Sequence, residues 1–306
     1  MGALIYGEAL VDDFGTEQVV GGAPFNVARH LAAFMDQPLM VTRLGNDKNG
    51  AIVRGEFERF AMSTAAVQTD DMEETGRVIV QRGPDGHQFA ILPRQAYDFI
   101  RAEEAFDAVA RYQASVFYFG TLAQRAERSC ETLHNLLKGV SATRYLDLNL
   151  RPGHFDELVT TASLEAADIA KVNEEELQYL FRWYFQIEAE QELDSDEVHS
   201  ACAALVDRFE LEALIVTLGH RGSVYFGADG QRIANRDNPV PPYVIDTVGA
   251  GDAFSAIFLY GRIHGWPLEQ TLARANEFAG AICAIPGAVP RELGFYDSWV
   301  SRWRSA

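Results

Sequence analysis

Short apolar runs alternate with amphipathic stretches along most of the chain. Ala3–Gly7, Leu39–Leu44, Ser115–Phe119, Arg144–Leu148, Ile169–Val172 and Ala213–Thr217 read as strands. Ala23–Phe34, Gly50–Phe60, Glu127–Leu137, Glu174–Phe181 and Glu197–Phe209 carry apolar residues at helical spacing, as in Phe25, Val27, Ala28, Leu31, Ala32 and Phe34. Strands alternating with helices predict an α/β fold, a mostly parallel central sheet covered on both faces in three α/β/α layers. Ligands of such sheets gather at the carboxyl ends of the strands. One segment breaks the rhythm: Gly76–Gln81 and His87–Leu92 flank Gly83-Pro84-Asp85-Gly86, a hairpin signature, and this small β element over residues 76–92 is expected to act as a lid. A second hairpin, Ser223–Phe226 and Gln231–Ala234 around Asp229-Gly230, is expected to extend the sheet. Beyond residue 250 the pattern is helical, over Ala250–Ile263, Leu268–Ile285 and Trp299–Trp303. The acidic stretch Trp183–Asp196 reads as a solvated loop or helix extension. No internal repeat and no long linker interrupts the 306 residues, so a single domain is expected.

Composition narrows the function classes. Hydrophobic residues make up 48%, enough for a large core. Lys and Arg number 26 against 44 Asp and Glu, a net charge of -18 with no basic cluster. Nucleic acid is therefore set aside, since its binding needs a basic footprint that displaces counterions, and an anionic membrane surface is disfavoured for the same reason. Three cysteines, with no C-x-x-C, read as buried structural thiols in a reducing compartment. No apolar run approaches the ~20 residues of a membrane span, and the first residues lack the basic region of a signal peptide. A cytoplasmic protein is expected.

The strongest local chemistry lies in Asp246-Thr247-Val248-Gly249-Ala250-Gly251-Asp252-Ala253-Phe254. A strand-like run, Tyr243–Ile245, precedes it and a helical pattern follows. Gly249, Ala250 and Gly251 can then offer backbone N–H groups at a helix N-terminus, where unpaired donors and the macrodipole attract anions. Asp252 beside such a cradle is either a helix cap or a base that takes a proton from a hydroxyl attacking phosphorus. No Walker loop occurs, and the third glycine of the dinucleotide fingerprint is missing.

Five motifs then fall in order. D-T-x-G-A-G-D-x-F resembles the C-terminal signature of the ribokinase-like (PfkB) family of carbohydrate kinases. Gly21-Gly22-Ala23-Pro24-Phe25-Asn26-Val27-Ala28-Arg29-His30-Leu31-Ala32 is similar to that family's N-terminal G-G-x-x-x-N-x-A-x-x-L-A. Gly45-Asn46-Asp47 with Gly50 resembles its G-x-D-x-x-G, Asn173 to Glu176 its N-x-x-E, and Thr217 to Gly222 its T-x-G-x-x-G. The resemblance covers nearly the whole chain and implies a ribokinase-like fold that phosphorylates a hydroxymethyl group with ATP. It makes Asp252 the base and the backbone of Gly249, Ala250 and Gly251 the anion hole. It gives Asn173 and Glu176 to Mg2+ and the phosphates, and Thr217, Gly219, Gly222 and Asn276 to the nucleotide. Gly7-Glu8-Ala9-Leu10-Val11-Asp12 and Asp147-Leu148-Asn149-Leu150-Arg151 resemble openings and sugar-side motifs of the fructokinase and 2-keto-3-deoxygluconate kinase branch. Asp12, Gly22 and Asn26 would then touch the sugar, and Arg151 would clamp phosphate. Asp246, Val248 and Gly287 stand where relatives hold a monovalent cation such as K+.

Residue types alone leave other roles open: an exposed helix charge for Glu176, a solvent-facing Asn276, a surface ion pair for Arg151, a local backbone bond for Asn26. Two departures stand out: Phe25 replaces a small residue and is expected to reshape the sugar side, and Val248 replaces a common Thr. The resulting expectation is an ATP-dependent sugar kinase, with fructose ahead of 2-keto-3-deoxygluconate, ribose or a nucleoside. A non-catalytic sugar-binding protein on the same fold is the competing class. A lid hairpin with a free edge predicts pairing with a second copy, a homodimer.

Overall fold

The computed structural model describes residues 2–83, 86–187, 195–236 and 243–304. Its large sheet runs in the order β13 (Arg232–Asn235), β12 (Ser223–Gly227), β11 (Ala213–Thr217), β10 (Ile169–Asn173), β9 (Thr143–Asp147), β8 (Ala114–Phe119), β1 (Gly2–Tyr6), β4 (Leu39–Gly45) and β5 (Val67–Asp70). From β11 to β5 all pairs are parallel; β12 and β13 add an antiparallel edge, as the second hairpin predicted. The strands bury both faces, so their period of two sends alternate residues to opposite cores. In β1, Leu4 and Tyr6 join one core, and Ala3 and Ile5 the other. The first core is closed by α3 (Ala102–Val109), α4 (Glu127–Gly139), α5 (Glu157–Glu165), α6 (Glu174–Phe185) and α7 (Asp196–Arg208). The second is closed by α1 (Ala23–Ala33), α2 (Lys48–Arg59), α8 (Ala250–His264), α9 (Leu268–Ile282) and α10 (Asp297–Arg304).

The small element is larger than a hairpin. Its four strands lie in the order β3 (Gln18–Gly21), β2 (Leu10–Asp13), β6 (Gly76–Gly83) and β7 (Gly86–Ile91). Periodicity missed β2 and β3 because they are short and polar at one end, and Asp is disfavoured in strands; β2 becomes a strand by pairing with β6, far along the chain. Asp47 joins the two sheets. Its Oδ1 caps α2 by accepting the Gly50 N–H at 2.7 Å, and its Oδ2 accepts the Thr75 N–H at 2.7 Å, just before β6.

Two further expectations need correction. Tyr243–Ile245 forms no strand; its side chains are exposed, and the Ile245 N–H bonds the Cys283 carbonyl instead. Of the cysteines only Cys202 is buried, Cys130 and Cys283 being half-buried, and all are free thiols. The stretch at Trp183–Asp196 ends α6 and opens α7, its centre at 188–194 lying outside the described residues, as does the hairpin tip at Pro84 and Asp85. No helix among the described residues is long and apolar enough to cross a membrane.

Candidate active site

Asp147 on β9 and Lys171 on β10 meet the first turns of α8, at Ser255 and Gly251. Gly249 occupies the N-cap in a left-handed conformation, φ 80°. A Cβ there would lie 2.3 Å from Ala288 Cβ, so only glycine fits. No side chain caps α8. The Ala250 N–H reaches the Thr247 carbonyl at 3.3 Å and the Ala253 N–H starts the helical ladder at the Gly249 carbonyl. The N–H groups of Gly251 and Asp252 have no partner among the described residues and point as an open donor pair.

Asp252 is therefore not the cap. It sits in the first turn, buried, and its Oδ2 accepts a hydrogen bond from Asn26 Nδ2 at 2.7 Å. Burial pushes its pKa up to about 6; the charge of Asp147 adds to the rise, while the Asn26 bond and the charges of Lys171 and Arg151 oppose it. Asn26 lies on α1, whose N-cap Gly22 has φ 100°, and a Cβ on Gly22 would meet the Glu8 carbonyl oxygen at 2.6 Å. The close approach of α1 to the Glu8 strand end thus requires glycine. Phe25 points away from this site: fully buried, it stacks on Phe57 of α2 at 4.6 Å between ring centroids. The expected reshaping of the sugar side by Phe25 is not what the fold does with it.

Two more carboxylates line this side. Alternation along β2 separates Asp12 from Asp13. Asp13 turns to the Gly15 N–H and to Arg77, whereas Asp12 faces Gly21. Burial pushes Asp12 up to about 6 against the charges of Arg151 and Arg29. Glu8 is buried and pushed up to about 7 by desolvation, with Arg151 pulling it down and Asp252 pushing it up. The Arg151 side chain is exposed and forms no ion pair or hydrogen bond among the described residues, which sets aside the surface ion pair, while its backbone carbonyl accepts the His154 N–H at 2.9 Å. Its charge reaches Glu8, Asp12 and Asp252 together.

The Arg151 loop is tethered from below. Asn173 and Glu176 form a capping box at the start of α6: Asn173 Oδ1 accepts the Glu176 N–H at 2.9 Å, and Glu176 Oε2 accepts the Asn173 N–H at 2.9 Å. The second oxygen, Oε1, accepts the Leu150 N–H at 2.8 Å, next to Arg151. Glu176 is buried, not an exposed helix charge. Lys171 Nζ gives 2.7 Å hydrogen bonds to both oxygens of Asp147, which also accepts from Ser255 Oγ at 2.9 Å. A Cβ on Gly251 would touch Lys171 Nζ at 3.4 Å, so this ammonium lies beside the first turn of α8.

The nucleotide-side candidates form one row. Thr217 pairs with Ser223 across β11 and β12, and Ser223 with Asn235 across β12 and β13. Asn276 on α9 donates to both Ser223 Oγ (2.9 Å) and Asn235 Oδ1 (3.0 Å), so it is a bridging residue and not a solvent-facing one. Gly219 and Gly222 take positive φ in the turn after β11, and the space beside Gly219 is open. Asp246 draws the cation candidates together, its carboxylate accepting the N–H groups of Val248 (3.0 Å) and Gly287 (3.2 Å).

The sequence profile of pfkB family carbohydrate kinases matches residues 4–292. The chain belongs to this family. It is a carbohydrate kinase on the ribokinase-like fold. Fructokinase of Salmonella typhimurium is 27% identical over 92% of this chain and 95% of its own length. Among solved structures, fructokinase with bound ATP from Xylella fastidiosa superposes with TM-score 0.79 at 21% identity, covering 100% and 99% of the two chains. The 2-dehydro-3-deoxygluconokinase of Thermotoga maritima gives 0.80 at 19%, covering 98% and 99%. Motif reading of this kinase passed over Glu8, Arg29, Asp147 and Lys171 as actors in their own right. The signal was available for Asp147, at the polar end of an apolar strand, and for Lys171, a cation inside one. For Arg29 it was only a cation one helical turn from Asn26.

Proposed function

We propose that the kinase transfers the γ-phosphoryl group of ATP to a hydroxymethyl group of a neutral monosaccharide, D-fructose first among candidates. The observation that carries this reading is Asp252: a buried carboxylate on the residue that supplies one of an uncapped pair of helix N–H donors. Asn26 holds its Oδ2, leaving Oδ1 to take the proton of the sugar hydroxyl. As that proton moves, the sugar oxygen bonds to phosphorus, the bond from phosphorus to the ADP oxygen breaks, and ADP leaves. The N–H groups of Gly251 and Asp252 face the charge that builds on the transferring phosphoryl, with Lys171 beside their turn. Gly249 and Ala250 fix the turn that aims those donors. Asp12, Gly22 and Asn26 are proposed to hold the sugar, and the row of Thr217, Gly219, Gly222 and Asn276 the nucleotide.

Three carboxylates around one free guanidinium favour an uncharged polyol over an anionic sugar. The unpaired Arg151 supports a second reading, a sugar acid such as 2-keto-3-deoxygluconate, whose carboxylate would take that fork. Mg2+ fits as an ion carried by ATP and reached through water, since both Glu176 oxygens already accept backbone N–H groups and no cluster of three His, Cys, Asp or Glu side chains able to hold a metal occurs among the described residues. With ATP it would neutralise charge on the phosphates. A K+ ion would suit the Asp246 carboxylate and the carbonyl groups beside Val248 and Gly287. The outer strands of the small sheet, β3 and β7, bond on one side only among the described residues, which supports pairing with a second copy.

The test is ADP release with Mg·ATP and K+ against a panel that includes D-fructose, 2-keto-3-deoxygluconate, ribose and a nucleoside. A fructose-dependent signal that falls at least ~10³-fold in Asp252→Ala is expected from the loss of a general base and its charge. Signal from the sugar acid alone would select the second reading, and wild-type kcat in Asp252→Ala would remove Asp252 from the chemistry.

A further inference from the structure

Asn26 reaches Asp252 with its nitrogen, and something must keep its amide from turning over. The amide has one donor end and one acceptor end: the donor end can face a carboxylate or a carboxylic acid, the acceptor end only a carboxylic acid that donates its proton. Arg29, one turn further along α1, decides between them. Its NH2 group donates to Asn26 Oδ1 at 2.5 Å and to the Val20 carbonyl at 2.9 Å, while NH1 donates to Glu56 Oε2 at 2.8 Å. A guanidinium offers only donors, so only the oxygen of Asn26 can face it, and Nδ2 is left for Asp252.

The guanidinium is itself locked. Arg29 is buried. Glu56 on α2 takes a forked pair of hydrogen bonds from Arg59, Nε to Oε1 and NH2 to Oε2, both 2.7 Å. Arg59 NH1 continues to the Arg291 carbonyl at 2.9 Å. Burial alone would push the Glu56 carboxyl up, but the bonds from Arg59 and Arg29 outweigh it and hold it below its ordinary value. Glu56 therefore stays charged and keeps Arg29 in place.

We propose that Arg29, fixed by Glu56, is a positioning residue for the phosphoryl transfer: it sets the orientation of the Asn26 amide and through it the protonation and aim of the base Asp252. The proposal rests on the reading of Asp252 as the base. The charges that act on Asp252 directly come from other elements, Asp147 on β9, Lys171 on β10 and Arg151 after β9, with Glu8 after β1. Arg29 acts directly on Asp12 instead. Its influence on Asp252 thus runs through the amide. An N–H bond to the charged carboxylate lowers the pKa, so losing or reversing it raises the pKa and moves the acid limb of kcat to higher pH.

The experiment measures kcat against pH, at saturating sugar and Mg·ATP, for wild type, Arg29→Met, Asn26→Leu, the double variant and Asp252→Asn. The acid limb of Arg29→Met is expected to move up by about one pH unit, the worth of one hydrogen bond to a charged group. Asn26→Leu should move it equally, and the double variant no further, because both act on one bond. An unmoved limb in folded Arg29→Met, or shifts that add in the double variant, would overturn the proposal. A purely structural Arg29 would lower the melting temperature and leave the limb in place. Should Arg29→Met not fold, Arg29→Lys keeps the charge against Glu56 without the fork; its limb is expected to move the same way by a smaller amount, and an unmoved limb there overturns the proposal equally. Asp252→Asn separates the two failures: if it keeps wild-type kcat, the base reading itself falls, whereas an inactive Asp252→Asn with an unmoved Arg29→Met limb refutes Arg29 alone.

Discussion

Asp252 shows how little of a residue's role lies in its type. Asp at a helix start is a favoured cap, yet here glycine holds the cap and the carboxylate is turned inward to Asn26. Burial and the repulsion of Asp147 push its pKa up to about 6, placing it where a base gains proton affinity without losing its ionised form at neutral pH. The base must be ionised to act, so kcat is expected to be level above about pH 7 and to fall roughly tenfold per unit well below pH 6. A pH–rate profile with an acid limb near pH 4 would show that burial does not govern this group. The motif gave Asp252 and Asn26 as candidates, but neither the inward turn nor the amide orientation is written in it. Phe25 makes the same point from the other side, since a conspicuous change within a sugar-side motif lies in the core against Phe57.

Strand and helix ends bring the rest of the site together. Asp147 and Lys171 are register partners on β9 and β10, so a parallel pairing alone sets a carboxylate beside an ammonium at the carboxyl edge of the sheet. Both are buried, and a buried pair is costly to break from one side. Lys171→Met is expected to lose about 3–5 kcal/mol in urea unfolding, and adding Asn at Asp147 should recover much of it, because the uncompensated charge is then gone. Equal losses in the single and double variants would mean that the pair contributes by packing and not by charge. The capping box at Asn173 and Glu176 was readable as a helix start from its spacing. That its second oxygen holds Leu150, and with it the Arg151 loop, depends on β9 lying beside β10.

Across the molecule the site concentrates acids that bind protons more readily when folded. Glu8, Asp12 and Asp252 stand at about 7, 6 and 6, above their ordinary values near 4. His30, buried between Tyr296 and the Ala288 carbonyl, is pushed the other way, down to about 3. Between about pH 4.5 and 7 these three acids give the folded state an excess of up to about three protons, with Asp36 and Glu176 raised in the same sense, against the protons it lacks at His30, His134 and His154. Stability follows the excess of protons in the folded state and therefore falls as pH rises through this window. The melting temperature is expected to be higher at pH 5.5 than at pH 7.5 by a few degrees, an effect of a few kcal/mol on a chain of this size. A calorimetric scan with the reverse order would show that these acids are not raised together. Saturating sugar should narrow the difference if its hydroxyls bond the charged carboxylates.

Local sequence was enough for the alternation of strands and helices, the antiparallel edge and the motif glycines, because period, turn chemistry and left-handed backbone are properties of neighbouring residues. Gly249 and Gly22 are legible for that reason. Contacts between distant segments were not: β2 exists only against β6, Asp12 is told from Asp13 only by the face of that strand, and Asn276 is a bridge only because β12 and β13 fold beneath it. Burial decides charge, and burial is a property of the assembled layers. The chain names its acids and bases, while the packing of α1 on α8 and the register of the sheet determine which are charged, where they point and what they can reach.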